Sequence, residues 1–273
     1  MYGDILEVSD SGLMEKTGGC QGPAGAAGVK RLYDISGVSV QGRRPKNEDT
    51  FYIRDFGDAC IFAVADGMGW LPHGDVASGI AIGTVKNFSE EGLSLFQHEK
   101  EMKAFLVKIH FLVKIHETAH QRIIDEARGD LFGMGTTLTT AVLNRNRLYI
   151  ANSGDSRAYV VGDGIRFRTT DHTQIQKLVD AGSISENEAR FHPLRNSLYG
   201  YVGGNFVVDT YSLELSEYDI VILCTDGFYA YTTGIEFFSL RDYTHSNHIA
   251  QSLVNSVIAK SDDNVTVIAA RFR

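Results

Sequence analysis

The chain has 273 residues, 43% of them hydrophobic and 22% charged, enough to build the core of one large domain or two small ones. Its 34 acidic residues against 26 basic give a formal net charge of −8, which argues against a general binder of nucleic acid or anionic membrane, since phosphate backbones attract basic surfaces. Cys20, Cys60 and Cys224 are odd in number and show no CxxC spacing, which argues against a disulfide framework or a thiolate zinc site.

In chain order, the opening MYGDILEVSDSGLMEK has early acids and no basic stretch leading into an apolar one, so no signal peptide is expected. Residues 17–28, TGGCQGPAGAAG, are small and flexible in type, so 1–30 is expected to be a flexible N-terminal tail or linker before a domain over 31–273. YDISGVSV, FYIR and CIFAVA alternate like strands. Val76, Ile80, Thr84 and Phe88 recur at helical spacing, with Asp75 as the expected N-cap. A long helix is expected over 99–128. TTLTTAVL, RLYIANS and SRAYVV then read as a three-strand meander. His172 to Ala181 reads as a short helix ended by Gly182, and the polar stretch 183–205 as a mobile flap, the flap region as a whole spanning about 173–205. FVVDTYSL and DIVILCT are expected strands, Ser246 to Lys260 a helix, and VTVIAARF the closing strand. Apolar runs such as Ile220 to Cys224 fall far short of a membrane span, so a cytoplasmic, soluble chain is expected. Strands in two blocks with helices between them indicate an α+β layered domain.

The long helix contains FLVKIH at 105–110 and again, unchanged, at 111–116. Six residues advance an α-helix by about 600°, a net turn of about 240°, so the two copies are expected to present different faces.

Four aspartates share one context. Asp66 follows CIFAVA, Asp155 follows LYIANSG, Asp226 follows IVILCT, and Asp263 stands just before the VTVIAA strand. A single Asp-Gly pair is a common turn dipeptide. Recurrence at four strand ends argues for convergence, and carboxylates brought together cannot all stay ionised without a cation. Oxygen ligands favour hard ions, Mg²⁺ or Mn²⁺ over Zn²⁺. The segment GRRPKNED adds Arg44, whose planar fork suits a phosphate, beside Glu48 and Asp49.

With those residues in place, the chain resembles the metal-dependent protein phosphatase family, the protein phosphatase 2C class, in its bacterial form. GRRPKNEDTF, VADGMGW, GMGTTLTTAV, ANSGDSRAYV, TTDHT, LVDAGSISENEARFHPLRNSL, LCTDGFY and DDNVTVIAA run in the family's order and span about 34–273. The resemblance implies a four-layer αββα sandwich, two antiparallel sheets flanked by helix pairs, with the site in the cleft between the sheets. It implies that Asp66 bridges two metals, that the Gly67 carbonyl serves the second, and that Asp226 and Asp263 complete the first. Glu48 and Asp49 resemble the pair that orders metal-bound water, Arg44 the phosphate clamp, and Asp155 the ligand of a third, weaker ion. The implied activity is hydrolysis of phosphoserine and phosphothreonine esters by a water activated between two Mn²⁺ or Mg²⁺ ions. The implied partners are a Ser/Thr kinase and its substrates, with no nucleic acid or membrane partner, and the implied state is a monomer. Met68 occupies the place where many eukaryotic relatives carry a histidine. Trp70-Leu71-Pro72 and Tyr199-Gly200-Tyr201-Val202-Gly203 depart from the family pattern, and His73, His172 and His192 are expected to make structural hydrogen bonds. The alternatives are a catalytically silent pseudophosphatase acting as a binding module and a metal phosphoesterase acting on small molecules.

Overall fold

Alternation of side chains along the strands decides which layer each residue enters, and a computed structural model describes the result for residues 5–8, 14–19, 32–56, 59–68, 73–91 and 101–273. The first block of strands is β1 (Ile5–Val8), β2 (Met14–Gly19), β3 (Tyr33–Val40), β4 (Asp49–Asp55) and β5 (Ala59–Asp66). Helices α1 (Gly74–Glu91) and α2 (Glu101–Glu126) follow, then β6 (Leu138–Asn144), β7 (Arg147–Ser153), β8 (Arg157–Val161) and β9 (Ile165–Arg168). Short helices α3 (Gln174–Asp180) and α4 (Glu186–Ala189) precede β10 (Asp209–Glu214) and β11 (Ile220–Cys224). The chain closes with α5 (Asp226–Tyr229), α6 (Ser246–Val257) and β12 (Val265–Phe272). One antiparallel sheet has the order β1-β2-β3-β12-β11-β8-β9 and the other β10-β7-β6-β5-β4.

Cys60, Phe62 and Val64 of β5 meet Val221 and Leu223 of β11 and Ile268 and Ala270 of β12, which makes the layer between the sheets. The alternate residues Ile61, Ala63 and Ala65 face Ala77, Ala81 and Val85 of α1 and Leu112, Ile115 and Ala119 of α2. On the far side, Ile220, Ile222 and Cys224 with Val265, Val267 and Ala269 pack on Ile249, Leu253 and Val257 of α6. The period of two thus sends each strand's neighbours into different cores. Helices cover both outer faces as expected, but unequally. Two long helices cover the five-stranded sheet, whereas on the other sheet, among the described residues, α6 is joined by the short α5 and by 3₁₀ turns at Ile235–Phe237 and Leu240–Asp242.

Four local expectations are corrected. Within the stretch expected to be a tail, Ile5–Val8 and Met14–Gly19 are strands, and β2 pairs with β3 in a register that sets Gly18 opposite Gly37. Glycines there gave no period-two signal, while the rest of 1–30 lies outside the described residues. The expected meander breaks after β7. β6 and β7 pair with each other, but β8 pairs with β11 in the other sheet. Gly154 makes that crossing at φ 111°, and a Cβ there would lie 2.7 Å from the Thr137 side chain. Asp75 is not the N-cap of α1: the His73 carbonyl accepts from the Ala77 amide at 3.2 Å, and Asp75 lies in the first turn, paired with Lys46 at 2.6 Å. Residues 206–208 lie outside β10, which begins at Asp209.

Other expectations hold. Thr173 caps α3 through the Gln176 amide, and Gly182 at φ 67° ends it, with amides of Gly182 and Ser183 bonding Val179 and Leu178 carbonyls. The FLVKIH copies face different ways. Lys108 is buried and donates to Asn144 Oδ1 at 2.9 Å, whereas its equivalent Lys114 is exposed and 3.8 Å from Glu117. His110 is exposed, and its equivalent His116 is wholly buried between Ser153 Oγ at 2.9 Å and Thr140 Oγ1 at 3.2 Å.

Burial is the main reason His116 is pushed down to about 3. An unfolded histidine titrates near 6.5, so between these values the unfolded chain binds the extra proton and stability falls as pH falls. Urea unfolding at pH 7 and pH 5 should show wild type losing about 2 kcal/mol relative to His116→Gln over that interval. Equal pH dependence in the two proteins would mean that His116 is protonated in the folded state.

Candidate metal centre

The ends of β4, β5 and β12, the β7–β8 crossing and the start of α5 meet at one edge of the two sheets. Arg44, Glu48, Asp66, Gly67, Asp155, Asp226 and Asp263 all line a single cleft of about 180 Å³ there, together with Met68, Thr137, Asn196, Leu198 and Asn264. Five carboxylates therefore face one guanidinium, and neither a cysteine nor a histidine is among the lining residues. Asp49 stands behind the wall, opposite Asp66 in the β4–β5 register.

Loop geometry follows from a few polar side chains. Asn264 accepts from the Glu48 amide at 2.9 Å and donates to the carbonyls of Gln41 at 2.7 Å and Lys46 at 2.9 Å. One amide thus fastens the whole GRRPKNED loop to the start of β12, which holds Arg44 and Glu48 over the cleft. Arg44 Nη2 sits 2.7 Å from Asp263 Oδ2. Two glycines permit the close approach. A Cβ on Gly67 would lie 2.2 Å from the Gly74 carbonyl oxygen, and one on Gly227 would lie 1.9 Å from that of Asn264. Ser261 and the Asp263 carboxylate, which accepts from the Asn264 amide at 2.8 Å, shape the last turn.

The carboxyl groups raise one another. Burial first, then neighbouring carboxylates, drive Asp66 and Asp155 well above the usual range. Asp226 is pushed up to about 6, by burial and then by Asp263, and is within hydrogen-bonding reach of Asp66. Burial lifts Asp49 to about 7 against the pull of Thr266 and Thr225, whose hydroxyls donate to its Oδ2 at 2.7 and 2.8 Å. Asp49 Oδ1 is buried with no hydrogen-bond partner. An unpartnered, buried carboxylate oxygen beside four clustered aspartates fits a hard cation with its bound water, since such groups otherwise lack a counter-charge. Among the described residues no three of these groups close into a complete cage around one point.

All eight residues singled out in the sequence are thus brought to one place, seven on the cleft and Asp49 behind it. Sequence reasoning missed Thr225, Thr266, Asn264 and Tyr229. Their signal was a threonine just before Asp226 and an Asn-Val-Thr run after Asp263, both easily read as ordinary strand residues. His172 is structural: the Gly154 amide donates to its Nδ1 at 3.1 Å, and its Nε2 lies 3.2 Å from Asp209 Oδ2 without hydrogen-bond alignment. His192 Nδ1 likewise accepts from the Leu194 amide. In the run from Tyr199 to Gly203, Val202 is wholly buried and bridges Thr136, while Tyr201 packs over Gly135 and Gly204. The expectation for Trp70-Leu71-Pro72 lies outside the described residues.

Residues 37–263 match the sequence profile of the family described as protein phosphatase 2C. The serine/threonine phosphatase stp of Listeria welshimeri is 33% identical over 217 residues, 76% of this chain and 82% of the relative. The crystal structure of serine/threonine phosphatase Stp1 from Staphylococcus aureus is 27% identical with a TM-score of 0.74, covering 93% of this chain and 100% of that one. The catalytic domain of the serine/threonine protein phosphatase PstP, solved with two manganese ions, is 26% identical with a TM-score of 0.71, covering 88% and 97%.

Because carboxyls of raised pKa hold protons that the unfolded chain releases, the metal-free cluster loses stability as pH rises from about 4 towards 7. This is opposite in sign to His116, so each effect is read by difference. With chelator present at neutral pH, Asp66→Asn should therefore melt about 2–4 °C above wild type, a gain of about 1 kcal/mol for a chain of this size. A lower melting temperature would show that the Asp66 carboxylate supports the fold instead of straining it.

Proposed function

Since the chain belongs to the protein phosphatase 2C family, we propose that it removes phosphate from phosphoserine and phosphothreonine residues of proteins at this cleft. It is a metal-dependent phosphoric monoester hydrolase, and its cofactors are Mn²⁺ or Mg²⁺. The observation that carries the residue assignment is the convergence of five carboxylates on one small cleft, backed by the orphaned oxygen of Asp49.

In this reading Asp66, Asp226, Asp263 and the Gly67 carbonyl would hold the metal ions, which would supply a water activated for attack on phosphorus. When bound, such an ion pair makes water acidic enough to act as a nucleophile near neutral pH. The rest is done by the chain's own groups. Arg44 offers its fork to the phosphate oxygens and neutralises charge there, and it exchanges its bond with Asp263 for one with substrate. Glu48 and Asp49 accept hydrogen bonds from water, Asp49 through its free Oδ1 while Oδ2 stays clamped by two threonines. Asp155 supports a third, weaker cation site at the sheet crossing. Met68 cannot donate a proton to the departing alkoxide, so that proton comes from water in the cleft. A silent binding module is disfavoured because none of these acids is replaced.

Phosphoserine and phosphothreonine are products of kinases, so the opposing partner is a Ser/Thr kinase and its substrates. A monomer in the cytoplasm is part of the same proposal. No helix of the described residues is long and apolar enough to cross a membrane.

Turnover of a phosphothreonine peptide should require millimolar Mn²⁺ or Mg²⁺ and stop with chelator, and Asp226→Ala should lower kcat by roughly two orders of magnitude or more. Undiminished turnover in chelator, by protein retaining no metal, would sink the reading. Comparison with p-nitrophenyl phosphate separates a protein phosphatase from a small-molecule phosphoesterase. Arg44→Ala should raise KM for the phosphopeptide about tenfold, with a smaller loss in kcat. If both constants stay at wild-type values, Arg44 is only a solvated loop residue paired with Asp263.

A further inference from the structure

The backbone around Asp155 is fixed on both sides. Gly154, one residue before it, exchanges hydrogen bonds with His172, its amide donating to Nδ1 at 3.1 Å and its carbonyl accepting from the His172 amide at 3.0 Å. Ser156, one residue after it, meets the Thr137 hydroxyl at 2.7 Å. The side chain still has two rotatable bonds of its own, and it carries out no task until they are set.

Tyr229 sets them. Its hydroxyl donates to Asp155 Oδ2 at 3.2 Å. Tyr229 stands three residues after Asp226 in the single turn of α5, so one turn of helix presents the Asp226 carboxylate and this hydroxyl on the same side. The ring is itself clamped. The Arg157 guanidinium lies 3.5 Å from its centroid, and Arg157 is locked by Asp171 through Nε at 2.9 Å and Nη2 at 2.6 Å. Arg157 also donates to the Tyr159 hydroxyl at 3.0 Å. A stacked, bidentate arginine is a rigid support, and lysine could not supply it.

We propose that Tyr229 is a positioning residue that holds Asp155 by one oxygen and leaves the other for a divalent cation in the cleft. The proposal rests on reading the cleft as a metal centre and Asp155 as the ligand of its weakest site. Partners that hydrogen-bond a metal ligand from behind fix its orientation, and their loss costs metal affinity although they never touch the ion. Tyr229 does so from α5, an element whose first residue is itself a proposed ligand, so the turn couples the weak site to the core one.

The test is calorimetric titration with manganese of wild type, Tyr229→Phe, Asp155→Asn and the double variant, with kcat and KM for a phosphopeptide across manganese concentrations. Phenylalanine keeps the ring beneath Arg157, so folding is retained and chelated melting temperatures check it. Tyr229→Phe should keep the two tighter ions, bind the weakest about tenfold less well, and lose kcat at low manganese with recovery at high manganese and KM unchanged. The double variant should be no worse than Asp155→Asn. A wild-type isotherm for Tyr229→Phe, or additive losses in the double variant, would overturn the proposal while leaving the metal centre intact. Wild-type behaviour of Asp155→Asn would overturn both Asp155 and Tyr229, and no manganese uptake by wild type would remove the metal centre itself. A purely structural role would lower the melting temperature without moving the weak isotherm, which also overturns it.

Discussion

Mutual repulsion among buried carboxylates is the constraint on which the rest of this structure depends. Asp66, Asp155 and Asp226 are each raised first by burial and then by neighbouring carboxylates, and Asp49 lies directly behind Asp66 with one oxygen unpaired. Such a cluster opposes folding, since each ionised group costs its own desolvation and the field of its neighbours. It persists because the strand ends that carry it are fixed by three apolar layers, one between the sheets and one beneath each helical face. The acids sit where strands end, and the strands have no freedom to move them apart.

Around the cluster, polar side chains do the work that apolar packing cannot do at a sheet edge. Asn264 uses its amide to tie three backbone groups of the Arg44 loop. Thr266 of β12 and Thr225, between β11 and α5, hold one oxygen of Asp49, and Thr225 in turn accepts from the Thr266 amide at 3.1 Å. At Asp66 threonines fix the backbone instead, its amide donating to Thr137 Oγ1 at 2.9 Å and its carbonyl accepting from Thr136 Oγ1 at 2.8 Å. Neutral donors such as those on Asp49 orient a carboxylate without cancelling its charge, which stays available to a cation. Among the described residues lining the cleft, Arg44 is the one that brings an opposing charge, on an exposed side chain able to leave it.

What the sequence made legible follows the same division. Strands such as CIFAVA and IVILC were readable because their alternate residues enter different cores, and the aspartates were readable because each ends such a run. The crossing from β7 to β8 was not readable. SRAYVV alternates like its predecessors, and nothing in its pattern says which sheet receives it; that is decided by Gly154 and by pairing with β11, which lies some sixty residues on. The strand at 14–19, MEKTGG, was hidden by its polar and glycine content, and that at 5–8, ILEV, by its four-residue length. Thr225, Thr266 and Tyr229 were hidden for another reason, since their roles depend on partners remote in sequence: Asp49 is 176 residues from Thr225 and 217 from Thr266, and Asp155 is 74 from Tyr229.

The repeated FLVKIH shows how well separated the layers are. A net turn of about 240° between copies means that one sequence must satisfy two faces of α2. At the second copy Leu112, Ile115 and His116 enter the core against the five-stranded sheet, while Lys114 faces solvent. At the first copy the lysine turns inward instead, capped by Asn144 at the far end of β6 and set over the Tyr149 ring at 5.2 Å. Lys108 and Asn144 lie at the end of β6 away from Thr137, and so away from the cleft, with the length of a strand between. Six residues lengthen a helix by about 9 Å. The carboxylate cluster is fixed at the opposite edge by strand ends and by Asn264, and the duplicated segment reaches those strands through His116, which bonds Ser153 at the end of β7, two residues before Asp155, so the second copy supports the sheet crossing while the first lies at the far end of β6.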